Sequence, residues 1–344
     1  MRSVRARIRA IARHTPVFAI VPGCTGDGLG SADGLIILLR RALRPCVGAR
    51  ARPLSTPSCA ESRTQFSSRV MLQELPQLAP GQYILVYNMF SFTIATMAAA
   101  FVFFVMAQKN IAPKYRISMM ISALVVFIAG YHYFRIFNSW EHAFALNQSM
   151  GMYEPTGDLF NDAYRYVDWL LTVPLLVVEL VLVMDLPEGE SGPLAAKLGF
   201  AAAFMIILGY PGEASTSTDF FGYRGLWGLL STLPFLYILY VLFTGLGDIL
   251  EQQSGKVATL IRNARLLLFA TWGFYPIVYM VPMFVSGYPT NAPGTVVTLQ
   301  VGYTIADILA KAGYGVLIYH IARQKSIEEG FDVGEYVTPA AAQA

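Results

Sequence analysis

Six ionisable residues lie in stretches that are otherwise strongly apolar: His132, Arg165, Asp168, Glu179, Asp307 and Lys311. Ionisable groups at membrane depth are costly and have a partner or a task. Lys311 stands near the middle of the last apolar stretch, too deep to reach water comfortably. A lysine there can simply pair with an acid and hold helices together. Asp307 is one helical turn earlier, on the same face. Arg165 and Asp168 are neighbours in the third stretch, so two carboxylates and one guanidinium can surround one lysine as a counter-ion cluster. A desolvated lysine is also a good former of Schiff bases. Once protonated, such a linkage needs an anion beside it.

The third stretch carries a second acid. Asp168 and Thr172 are four residues apart and share a helix face. Asp168 and Glu179 are eleven apart, which returns to within about 20° of the same face after a rise of about 16 Å. One face then carries a carboxylate at mid-membrane and another nearer one surface, as a proton relay requires. Glu179 can equally be an acid that snorkels from a helix end. In the sixth stretch Trp272, Tyr275, Pro276 and Tyr279 form an aromatic stripe at helical spacing. Such stripes are core packing or, beside a reactive lysine, the walls of a pocket, with Tyr133 and Trp169 contributing from other helices.

These residues need long apolar helices to hold them. Of the 344 residues, 55% are hydrophobic and 14% charged, against roughly 25% charged in a soluble domain. The mean hydropathy is +0.49. Seven apolar stretches follow one another at 83–107, 117–137, 162–184, 194–210, 222–246, 259–286 and 295–322, each about long enough to cross a ~30 Å hydrocarbon core. The expected fold is an all-α membrane protein, a bundle of seven transmembrane helices over 76–325. The connection 138–161 has the Gly, Pro and polar content of an ordered external loop such as a hairpin. Residues 326–344 read as a polar, flexible tail.

Residues 1–75 are a different kind of segment. Residues 1–70 hold twelve Arg, no Lys and three acids (Asp27, Asp33, Glu61), a net of +9, and the rest of the chain carries −6. That composition suits an organelle transit peptide. A signal-like leader, with an apolar run at 34–39 before Arg40 and Arg41, and a disordered basic tail are the other readings. All three cysteines (Cys24, Cys46, Cys59) lie here, so the helical part offers no disulfide, thiolate metal site or cysteine nucleophile, and no metal is expected.

Basic residues near the helix ends set the orientation. Lys109, Lys114, Arg116, Lys197, Lys256, Arg262, Arg265, Arg323 and Lys325 collect on one side, against Arg135 and Arg224 near the other surface. The first side is expected to be cytoplasmic, with the C-terminus inside and the N-terminus outside. The leader arginines oppose this if retained, which favours their removal. A targeting leader would direct the protein to a eukaryotic organelle or endomembrane.

The motifs carry a family resemblance. Arg165-Tyr-Val-Asp168-Trp169-Leu-Leu-Thr172-Val-Pro174-Leu-Leu closely resembles the third helix of microbial (type 1) rhodopsins. Asp307-Ile-Leu-Ala-Lys311-Ala-Gly-Tyr-Gly resembles their retinal-lysine helix, and Trp272-Gly-Phe-Tyr275-Pro276 their sixth-helix pocket. The likeness runs from about residue 83 to 322. It implies all-trans retinal on Lys311 as a protonated Schiff base, in a pocket at the core of the bundle.

Asp168, Thr172 and Glu179 together resemble the outward proton pumps of the proteorhodopsin and xanthorhodopsin type. By that resemblance Asp168 is counter-ion and proton acceptor, Asp307 the second counter-ion, and Glu179 the cytoplasmic donor. Arg165 is the gate towards the outside, and His132 the histidine that pairs with the acceptor. Gly228 stands where archaeal pumps carry a tryptophan. In the xanthorhodopsin type this leaves a gap beside the retinal ring for a carotenoid antenna; the glycine can equally ease helix packing. Leu176 occupies the colour-tuning position, with the residue of the green-absorbing form.

Residues 287–300 contain no carboxylate, unlike the archaeal paired-glutamate release group. The resemblance implies the lipid bilayer, protons and further copies of the chain as partners, and no nucleic acid. A photosensor signalling to a partner protein is the alternative. Sodium and chloride pumps alter the Asp168–Thr172–Glu179 triplet, and a channel would differ by its stationary, reversible current.

Overall fold

The structure, a computed structural model, describes residues 75–332 apart from 187–188, 216, 246–254 and 290. The leader 1–74 and the end of the tail lie outside the described residues. Among the described residues, seven helices are long and apolar enough to cross a membrane: α1 (Pro80–Asn110), α2 (Pro113–Ala143), α3 (Tyr164–Met184), α4 (Ser191–Glu213), α5 (Tyr223–Thr244), α6 (Gly255–Phe284) and α7 (Pro293–Glu328). In hydrocarbon, helices satisfy every backbone polar group within one segment, so the apolar runs can take no other open form. The chain is an integral, multi-pass membrane protein. Pro174, Pro211, Pro234 and Pro276 sit inside helices, as bundles in lipid tolerate.

Consecutive helices pack against one another, and α7 closes the ring against α1 and α6. The most apolar windows of α3, α7 and α2 are 61%, 56% and 50% buried, against 17% in α5 and 22% in α1 and α4. The three helices that carry the six ionisable residues are thus the interior ones.

One end of the bundle is covered by a hairpin, β1 (Phe144–Asn147) paired antiparallel with β2 (Met152–Pro155). Tyr83 of α1 stacks on Tyr153 of the hairpin with centroids 3.8 Å apart and planes at 9°. Trp140 packs against Phe144 and Phe160 beneath it. Leu78 and Tyr153 exchange two backbone hydrogen bonds of 2.9 Å, which fastens the start of α1 to the hairpin.

Several bounds differ from those read in sequence. Helix α2 runs six residues past 137, and α4 reaches Glu213 rather than stopping at 210. Helix α7 continues to Glu328, so residues 326–328 belong to the bundle and not to the tail. Ser326 is buried, accepts the Ala112 backbone N–H at 2.8 Å and donates to the Ala322 carbonyl. Hydropathy places a span end at the first polar residues, but Ser326 pairs within the protein.

Candidate functional site

Lys311 lies in a π-helical segment of α7, Ile308–Gly313, an irregularity common at functional sites. It is fully buried. Its Nζ donates to Asp168 Oδ2 at 2.8 Å and to Asp307 Oδ1 at 2.6 Å. The two carboxylates have unequal surroundings. Asp307 Oδ2 accepts from the Tyr133 hydroxyl at 2.7 Å, and its Oδ1 accepts from Trp169 Nε1 at 3.0 Å and from the Tyr275 hydroxyl. Among the described residues, Asp168 has Lys311 alone on Oδ2, and its buried Oδ1 has no partner. Thr172 donates to the Asp168 backbone carbonyl at 2.8 Å, so it steadies the helix turn rather than the carboxylate.

Arg165 departs from the expected cluster around Lys311. It is buried and donates from Nη1 to Gln300 Oε1 at 2.6 Å, with its guanidinium 5.5 Å from the Phe90 ring centre and 5.8 Å from those of Tyr133 and Tyr303. It makes no ion pair with Asp168 or Asp307. His132 is buried on α2, but its Nδ1 donates to the Ile128 carbonyl at 2.9 Å. It forms no hydrogen bond to Asp168. Glu179 is fully enclosed; Oε2 accepts from the Ser122 hydroxyl at 2.8 Å and Oε1 has no partner. It therefore does not snorkel.

Lys311 lies in the wall of a mostly apolar cavity. Trp169, Leu176, Trp272, Tyr275, Pro276 and Tyr279 line it, as the sequence suggested. Tyr133 and Thr172 do not; their hydroxyls serve Asp307 and the α3 backbone instead. Gly228 borders the cavity on α5. A Cβ there would stand 2.8 Å from Tyr279 Cε1, and one at Gly212 would meet the Tyr279 hydroxyl. Tyr279 thus needs both glycines to seat its ring between α4 and α5, so close packing is one demonstrated role of Gly228.

Sequence reasoning missed a second buried ion pair. Arg224 has no exposed side-chain surface and contacts Glu213 Oε2 at 2.8 Å, so it is not the cation near the outer surface that the sequence predicts. The Tyr303 hydroxyl donates to the same Glu213 oxygen at 3.1 Å, and Arg224 Nε donates to the Tyr279 carbonyl. The longer α4 is what buries Glu213, and helix bounds estimated from hydropathy hide this. Ser122, Gln300 and Tyr303 were also missed, because nothing in an isolated polar residue marks which helix it faces.

A mostly apolar cavity whose wall holds a lysine between two acids suits an apolar molecule carrying a carbonyl. The Bacteriorhodopsin-like protein family matches residues 85–325. This chain belongs to that family.

Among curated relatives of this rhodopsin, the green-light absorbing proteorhodopsin of Gamma-proteobacterium EBAC31A08 is 29% identical over 245 residues, 70% of this chain and 88% of the relative. Bacteriorhodopsin of Halobacterium salinarum is 34% identical over 166 residues, 48% and 59% of the two chains. Among solved structures, xanthorhodopsin, described as a light-driven ion pump with dual chromophore, is 73% identical with a TM-score of 0.71, covering 75% of this chain and all of that one. Thermophilic rhodopsin is 49% identical, with a TM-score of 0.70 and the same coverage. Membership explains the combination of seven helices, buried lysine and paired acids in this rhodopsin. Retinal is the family's chromophore, and the cavity fits it.

Proposed function

We propose that this rhodopsin is a light-driven pump that moves protons outward, with Lys311 as the attachment point for retinal. The observation that carries the reading is the inequality of the two acids. Bound retinal would supply the light-absorbing group and a light-triggered change of shape at the Lys311 nitrogen. A carboxylate that accepts several hydrogen bonds is fixed in position by them. Asp307, with donors from Tyr133, Trp169, Tyr275 and Lys311, is the standing counter-ion. Asp168, with one buried oxygen unbonded, has room to take the proton from Lys311 Nζ.

Glu179 supports the direction. It has a hydroxyl partner and no cation, the environment of a carboxyl that keeps its proton until a base appears. It lies on the α3 face of Asp168, on the opposite side of Lys311 from the hairpin, and returns a proton to Nζ from there. The basic helix ends make that side cytoplasmic, with the N-terminus outside. Arg165, held by Gln300 on the hairpin side, separates Asp168 from the outer surface and acts as the gate. His132 has Nε2 left over for the acceptor, since Nδ1 is committed to Ile128. The place of Gly228 in the cavity wall, together with the dual chromophore of the xanthorhodopsin relative, supports a carotenoid antenna.

The test is light-driven pH change in cells supplied with retinal. Acidification of the medium that a protonophore abolishes is expected. An absent or protonophore-insensitive signal would reject outward proton pumping.

A further inference from the structure

The face opposite the hairpin holds a cluster that the pump reading leaves unused. Asp185, in a left-handed conformation at the end of α3 (φ 55°), turns back towards α2. Lys114 Nζ lies 2.8 Å from both Asp185 Oδ2 and Glu329 Oε1. The Tyr115 hydroxyl donates to Glu329 Oε1 and lies 3.4 Å from Asp185 Oδ2. Both carboxylates face solvent, with 46% and 39% of their side chains exposed, whereas Tyr115 is buried.

Tyr115, Ser118 and Ser122 follow one another at three- and four-residue spacing, so one face of α2 carries three hydroxyls. All three residues are buried. The last donates to Glu179. Among the described residues, the middle one, Ser118 Oγ, has no hydrogen-bond partner, nor has Glu179 Oε1. A buried hydroxyl without a partner costs about 1–3 kcal/mol and calls for an explanation such as water or a transfer role. Tyr115 and Ser122 are about 10 Å apart along the helix axis. Ser118 stands between them along the axis, where a buried water can serve its free hydroxyl.

The mouth of this track is firmly built. Lys325 on α7 donates to the Val183 and Met184 carbonyls at 3.3 and 2.7 Å and lies 5.5 Å from the Tyr115 ring centre. Lys114 lies 4.9 Å from the same ring. The charged and titratable groups around Tyr115 are therefore two lysines and two carboxylates. Lys114 holds both carboxylates at the surface, over the Tyr115 hydroxyl.

We infer that Glu179 is refilled from Asp185 and Glu329 along the Tyr115–Ser118–Ser122 face of α2. A proton enters at a carboxylate, each hydroxyl or water takes one proton and passes one on, and the Glu179 carboxylate receives it. Nothing is oxidised or reduced. The inference rests on Glu179 as donor, and its test is separable from that reading.

The test is the dark exchange of the Glu179 carboxyl proton in the retinal-loaded protein. It is read as the D2O shift of the carbonyl infrared band and assigned with Glu179→Gln. Ser118→Ala and Tyr115→Phe should each slow exchange by about tenfold or more, and Ser118→Thr should restore it. Ser326→Ala, which loosens the same mouth without removing a link, should leave the rate unchanged. The double variant Asp185→Asn/Glu329→Gln should slow proton uptake after a flash, followed with a pH dye. Parent-like exchange in both Ser118→Ala and Tyr115→Phe overturns the path, as does equal slowing by Ser326→Ala. Failure of the donor reading shows separately, as unchanged proton return in Glu179→Gln, because dark exchange does not depend on pumping.

Discussion

Replacing Glu179 by glutamine is a small structural change with a large expected kinetic effect. The amide keeps the shape of the side chain, and its oxygen still accepts from Ser122, which now spans 2.8 Å to Glu179 Oε2. The unpartnered Oε1 becomes an amide nitrogen at the same place, so the number of buried atoms without a partner does not rise. The bundle should fold and take up retinal. What disappears is a proton held inside the protein, about 16 Å along α3 from Asp168. Proton return to Lys311 Nζ must then draw on bulk solvent.

With the carboxyl present, return is an internal step whose rate does not follow bulk proton concentration. Without it, the rate should fall about tenfold for each unit of rising pH and be slower by about 10²–10⁴ at neutral pH. Flash photolysis between about pH 6 and pH 8 reads this directly. Azide, a small acid that can enter and carry protons, should restore the rate. A Glu179→Gln protein that recovers as fast as the parent, with no pH slope, would refute the donor assignment.

Three further outcomes follow from the geometry. Asp168→Asn should bind retinal and absorb light yet produce no pH change in cells; acidification by this variant would remove Asp168 as acceptor. Gly212→Ala should displace Tyr279, break its bond to the Arg224 carbonyl and cost about 2–4 kcal/mol, seen as a lower thermal midpoint with Gly228→Ala acting in the same direction. Asp185 lies outside the spans: burial pushes its carboxyl up, but the bond from Lys114 outweighs this and holds it below the usual carboxylate range. Its contribution to stability is therefore present above that range and lost as pH falls through the lowered folded value. The melting gap between parent and Asp185→Asn should close between about pH 6 and pH 2, and a gap that stays constant would mean the ion pair with Lys114 is not its source.

Much of this protein is legible without coordinates. Seven long apolar runs can only become helices in a bilayer, because no water is present to satisfy an open backbone. Lys311, Asp307 and Asp168 stand out because charge at that depth is too costly to be incidental. The one-turn spacing of Asp307 and Lys311 predicts their contact, which the bundle shows at 2.6 Å. The aromatic stripe of α6 does line the cavity, as its period implied.

Only the tertiary structure decided what each polar group touches. Periodicity assigns a side chain to a face but not to a neighbour. It could not tell that Arg165 turns to Gln300 rather than to the acids, or that Tyr133 serves Asp307 rather than the cavity wall. Nor could it show that Glu213 and Arg224 form a buried pair, because hydropathy ends a span where the first charge appears and is blind to a charge neutralised from the next helix. The difference between Asp168 and Asp307 is of the same kind. In sequence they are two aspartates near one lysine, and four donors converging from α2, α3, α6 and α7 on Asp307 alone distinguish them.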